Sequence, residues 1–98
     1  MIDYLKKYNL TDDDINLLNS QLSEDIKNSL FVMKENAEAI LDYLKELGVT
    51  NFKDLLLERI DICFFDLNYL KEKIEKYDKK LIKFVIDNSV GDLLDFDI

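Results

Sequence analysis

The chain has no histidine, no proline and no tryptophan, and only one cysteine and two glycines among its 98 residues. Without histidine there is no imidazole base, no Ser–His or Cys–His nucleophile and no histidine metal ligand. A lone Cys63 excludes a disulfide framework and a thiolate zinc site. Gly48 and Gly91 lie 43 residues apart, so no glycine-rich loop can cradle a phosphate. No apolar run approaches the ~18 residues of a membrane span. Met1 is followed by an acid rather than by a basic stretch and an apolar region. With the single cysteine, this predicts a cytoplasmic protein. No pattern for a cofactor or a metal is present, and the absences argue against an enzyme.

What is present supports one folded domain over residues 1–98. Apolar residues make up 48% of the chain and aromatics 11%, enough for a core at this length. Asp and Glu number 21 against 13 Lys and Arg, giving a net charge of −8. That balance repels nucleic acid and anionic membranes on average and favours a basic partner.

The apolar spacing is helical throughout. Ile2, Leu5 and Tyr8 suit one short amphipathic helix. Thr11 with Asp14 forms a capping-box pattern, followed by Ile15, Leu18 and Leu22. Ser23 caps a long stripe, Ile26, Leu30, Met33, Ala37, Ile40, Leu44 and Leu47, with room for a break near 29–33 and with Gly48 placed to end it. Asn51 with Asp54 repeats the capping pattern, and residues 60–65 suit a buried connector or 3₁₀ turn. After Asp66, the residues Leu67, Leu70, Ile74, Tyr77, Leu81 and Phe84 form a heptad seam in one last long helix, open to sharing with a second copy as a homodimer. Ser89 and Asp92 are placed to cap a final acidic turn. No segment alternates long enough for a sheet. The expectation is an all-α fold, a bundle of about five helices.

Residues 4–11 match 43–50 at an offset of 39, and Phe31, Met33, Ile40 and Tyr43 match Phe65, Leu67, Ile74 and Tyr77 at an offset of 34. These periods suit one and a half to two stacked helical repeat units. The general likeness of amphipathic helices accounts for them equally well. From Glu35 to Tyr77 the chain has a helix ending in Leu47-Gly48, a short second helix, a connector and a helix opening on Asp66-Leu67 with Leu70-Lys71. That stretch resembles the mitochondrial transcription termination factor (mTERF) type of repeat. The resemblance implies the architecture of a helical-repeat protein. Members of that family bind nucleic acid, but Ile60 stands where such repeats usually carry proline, and this chain is acidic and short. The family's function is therefore not carried across with its architecture.

Charge is unevenly placed. Residues 68–83 hold six lysines and three acids, so this segment is positive within an acidic chain. Lys73, Lys76, Lys80 and Lys83 form a stripe suited to phosphates, the alternative functional reading. A solvated helix face with Glu72–Lys76 and Glu75–Lys79 pairs is the simpler account, since no arginine is available there. Asp12, Asp13 and Asp14, with Glu35, Glu38, Asp42 and Glu46, make an acidic face suited to a protein with a basic surface. A regulator or inhibitor is expected, such as a DNA mimic encoded by a phage or mobile element. Asp12–Asp14 lack the spacing and glycine of a calcium loop. Glu58 and Asp61, three apart, make a weak acid/base pair, and Cys63 suits the core. The acidic–hydrophobic end Asp92, Leu93, Leu94, Asp95, Phe96 and Asp97 suits either a docking peptide or a last turn that closes the core.

Overall fold

A computed structural model describes all 98 residues. It is all-helical: α1 (Asp12–Gln21), α2 (Glu24–Val32), α3 (Lys34–Glu46), α4 (Phe52–Glu58), α5 (Leu67–Glu75) and α6 (Lys79–Ser89). Three 3₁₀ turns, Asp3–Lys7, Ile60–Phe64 and Val90–Phe96, complete it.

The caps form largely where the sequence places them. Thr11 Oγ1 accepts from Asp14 N at 3.1 Å while the Asp14 carboxylate accepts from Thr11 N at 3.0 Å, which closes the capping box. Ser23 accepts from Ile26 N and Asp66 from Tyr69 N. Gly48 ends α3 at φ +99°, and Val49 N then reaches back to Leu44 O at 3.1 Å. The left-handed residue is what allows that return. Asn51 Oδ1 accepts from Asp54 N, but its own N–H goes to Asp87 Oδ1 at 3.0 Å instead of to Asp54. A residue from α6 thus completes the cap of α4.

Six helices replace the expected five, because two long stripes are broken. The first eight residues hold a 3₁₀ turn rather than an amphipathic α-helix. Met33 separates α2 from α3, inside the window where a break was anticipated. The anchor is tertiary: Asn36 Nδ2 donates to both Cys63 O and Phe65 O at 2.9 Å, fixing the first turn of α3 on the connector. The last long helix divides at residues 76–78. Asp78 Oδ1 accepts from Lys80 N at 2.7 Å and from Leu81 N at 3.3 Å, starting a new helix. The six seam residues therefore do not form one strip. Leu70 and Ile74 are buried inside the chain, while Tyr77, Leu81 and Phe84 face outward from the turn and from α6.

The core is contributed by every element and contains no buried polar residue. Its largest member, Tyr8, sits against Phe52 with ring centroids 5.4 Å apart. Leu30, Ile40, Leu41, Leu55 and Leu56 are fully enclosed. All charged side chains consequently lie on the surface or at its edge, and any function they have is a surface function.

Candidate interaction surface

The turn Asp3–Lys7 lies between two acidic clusters that the sequence keeps far apart. Lys6 Nζ pairs with Asp12 Oδ1 at the start of α1, at 2.7 Å. Lys7 pairs with Glu38 on α3. The next residue, Tyr8, buries its ring and donates its hydroxyl to Asp42 Oδ1 at 2.7 Å. Three consecutive residues thus bring Asp12, Glu38 and Asp42 to one side of the molecule. The apolar positions Ile2, Leu5 and Tyr8 are buried, which turns Lys6 and Lys7 outward toward the two clusters.

The cluster is braided with lysines. Lys45 Nζ donates to Lys7 O at 3.1 Å, and Lys53 Nζ stands 3.7 Å from Asp14 Oδ1. Seven carboxylates (Asp12, Asp13, Asp14, Glu35, Glu38, Asp42 and Glu46) therefore share their surface with Lys6, Lys7, Lys45 and Lys53. Within it, Glu35, Asp42 and Glu46 fall on one face of α3 at spacings of seven and four residues. They make a row about 16 Å long at 1.5 Å per residue. Asp13, Glu35 and Glu46 are exposed and form no ion pair, and Asp42, Lys45 and Glu46 line an open depression.

Proton affinities follow the pairs. The hydrogen bond from Lys6 and its charge hold Asp12 below the ordinary carboxylate range. The Thr11 N–H does the same for Asp14, opposed by burial and assisted by the Thr11 hydroxyl and Lys53. Glu38 raises Lys7, and Asp12 raises Lys6. Burial, followed by the Asp42 carboxylate, pushes the Tyr8 phenol upward, so it remains a hydrogen-bond donor. The arrangement is a fixed set of ionised groups suited to complementary charge.

The other candidates are placed differently. Of the lysine stripe, Lys73 Nζ is bound to Asp97 Oδ2 at 2.6 Å and Lys83 Nζ to Asp87 Oδ2 at 2.7 Å. Lys76 and Lys80 fall on either side of the break between α5 and α6, so the four do not share one helix face. Lys79 belongs to the helix after the break, and neither it nor Lys76 is paired with Glu72 or Glu75. Asp61 is occupied by Arg59, with both carboxylate oxygens at 3.0 Å. Burial, with a lesser contribution from Asp61, pushes the Cys63 thiol up to about 12. It stays protonated and unreactive at neutral pH.

The segment from Asp92 to Asp97 is folded onto the protein. Leu93 and Ile98 are buried, Phe96 meets the Tyr77 ring edge-on at 5.1 Å, and Arg59 Nη2 donates to Ile98 O at 2.7 Å. Asp92 accepts from the Ser89 hydroxyl at 2.8 Å instead of sharing in a helix cap. Only Leu94, with Asp92 and Asp95 beside it, presents a docking surface.

The apolar elbow Phe31–Val32–Met33 was not singled out by periodicity, which placed Met33 inward. The available signal was the run Leu30-Phe31-Val32-Met33, because four consecutive large apolar residues exceed what one helix face can bury. Comparison with family models, curated proteins and solved structures gives no match.

Proposed function

We propose that the chain is a non-enzymatic binding protein whose acidic face engages a protein with a basic surface, as a regulator or inhibitor does. The observation that carries this reading is the convergence of Asp12, Glu38 and Asp42 around Lys6, Lys7 and Tyr8, with Glu35 and Glu46 extending the row along α3. Such a rigid row complements a basic groove and sets association rate and salt dependence more than raw affinity. The interleaved lysines lower the net charge of the face, so the complement is a patterned basic surface rather than a uniform one. This is less like a phosphate backbone than a bare run of carboxylates is. Nucleic-acid contact through Lys73, Lys76, Lys80 and Lys83 has less support, because two of the four are committed to Asp97 and Asp87. The order of helix, helix and 3₁₀ turn recurs over residues 34–64 and 67–96, which supports two stacked units.

The test is capture with a charge-reversed control. Asp13→Lys/Glu35→Lys/Glu46→Lys changes only exposed, unpaired acids. The parent protein should retain a basic protein at low salt and release it as the Debye length falls from about 10 Å at 0.1 M to about 3 Å at 1 M. The triple variant should lose at least ten-fold in affinity. Retention that is indifferent to both salt and charge reversal refutes the reading.

A further inference from the structure

Two exposed apolar patches lie at opposite ends of α3. At its start, Phe31 and Val32 are 60% and 80% exposed, with Met33 beside them at the elbow between α2 and α3. Near its end, the aliphatic stem of Lys83 lies over Gly48, its Cε 3.1 Å from where a Cβ there would stand. That contact brings α6 alongside, and α6 turns Leu81 and Phe84 outward, Phe84 being 64% exposed, with Tyr77 exposed just before the helix. Thirteen residues of α3 separate the patches, a length of about 20 Å. Large apolar side chains grouped on a surface mark contact sites.

The patches carry opposite charge. Lys76, Lys79 and Lys80 border Tyr77, Leu81 and Phe84, and none of the three forms an ion pair. Asp78, the acid among them, is turned back to cap α6. The elbow runs instead into Glu35 and the carboxylate row of α3, while Lys34 is drawn onto the Tyr4 ring at 5.2 Å. Two α6 patches placed face to face would oppose six ammonium groups. An elbow placed against an α6 patch joins apolar surface to apolar surface and acid to base.

We infer that the elbow Phe31–Val32–Met33 of one copy docks on the α6 patch Tyr77–Leu81–Phe84 of a second copy, head to tail. This surface is neither the expected heptad seam nor a two-fold contact. Leu70 and Ile74 are unavailable to it, and the elbow replaces a second seam as the partner. A head-to-tail contact leaves one free patch at each end, so assembly continues rather than stopping at two. Each side offers about three large residues, far less than the ~800 Å² per partner buried in stable complexes, so dissociation constants on the order of 100 µM are expected. The inference rests in part on the acidic-face reading, since it uses the same carboxylate row, but it names a second copy as the occupant.

The experiment uses purified protein alone, which separates its failure from failure to capture a basic partner. By sedimentation velocity, the mean mass of the parent should rise with concentration and fall as salt is added. Phe31→Lys/Val32→Lys destroys the elbow, and Leu81→Glu/Phe84→Glu destroys the α6 patch. All four positions are exposed, so each variant should keep the helical circular dichroism of the parent. Each alone should stay monomeric. An equimolar mixture should form a species of twice the monomer mass and nothing larger, because only one complementary pair of patches survives. Association of either variant alone, a mixture that remains monomeric while the parent associates, or a monomeric parent at about ten times the expected dissociation constant overturns the inference.

Discussion

Leu93 and Leu94 are adjacent, chemically identical and both within the 3₁₀ turn Val90–Phe96, yet they are 1% and 68% exposed. Replacing each in turn with alanine measures whether this segment belongs to the core. Leu93→Ala removes buried methyl groups and leaves a cavity against α4 and α6, a change that costs about 2–5 kcal/mol. Leu94→Ala removes mostly solvated surface and should stay within about 0.5 kcal/mol. A domain of this size shifts its melting temperature by about 4–8 °C per kcal/mol, so Leu93→Ala should melt roughly 10–30 °C lower and Leu94→Ala within about 4 °C of the parent. Thermal and urea unfolding followed by circular dichroism provide the assay, with unchanged m-values showing that stability rather than cooperativity was altered. Small and equal shifts for the two variants would refute the argument and release the segment as a free docking peptide.

The magnitude rests on more than one side chain. Ile98 is buried and its N–H donates to Leu93 O at 3.1 Å. Tyr77 donates to Phe96 O at 3.3 Å while its ring receives Phe96 edge-on. Arg59 reaches across to Ile98 O, and without that acceptor a largely buried guanidinium is left with Asp61 alone. Removing residues 92–98 therefore takes away two buried side chains, each worth about 1.5–3 kcal/mol, together with partners of Arg59 and Tyr77. Against a total stability of about 5–15 kcal/mol, loss of binding by the truncated chain would report unfolding rather than a missing docking motif.

Two further outcomes are expected. Gly48→Ala forces a side chain into the left-handed region and toward the Lys83 stem at 3.1 Å. It should destabilise by about 1–2 kcal/mol, whereas Gly91→Ala, which meets nothing within 4 Å, should be nearly neutral in the same melts. At Asp87, burial acts upward but is outweighed by the Lys83 ammonium and by the N–H groups of Asn51 and Thr50, so its folded pKa is lowered. Its stabilising contribution is therefore full above the unfolded pKa of about 3.9 and is lost as pH falls through the lower folded value. Asp87→Ala should cost about 2–3 kcal/mol at neutral pH and flatten the acid limb of a stability–pH profile. A mutant whose loss persists undiminished in acid would show that packing, not the carboxylate, accounts for it.

Local signals and their limits explain what could be anticipated from the sequence. The caps at Thr11, Ser23, Asn51 and Asp66 and the stop at Gly48 are short-range features, and each forms with its own neighbours. Periodicity also identified the buried face of α3 and α5. It failed at Met33 and at residues 76–78, where a continuous 3–4 spacing conceals two corners that neither proline nor glycine marks. Those corners depend on distant partners: Asn36 is held by the carbonyls of Cys63 and Phe65, and Asp78 caps a helix whose other face must reach the core. The same distance dependence governs the candidate site. A list of acids along the chain contains Asp12, Glu38 and Asp42, but their convergence requires the fold of residues 3–8. The lysines that divide them come from α3, α4 and the first turn. Breaking a stripe at a corner also exposes what the stripe was meant to bury. Phe31, Val32, Leu81 and Phe84 are outward because the corners exist, and the surfaces available for partners are consequences of the two places where periodicity misleads.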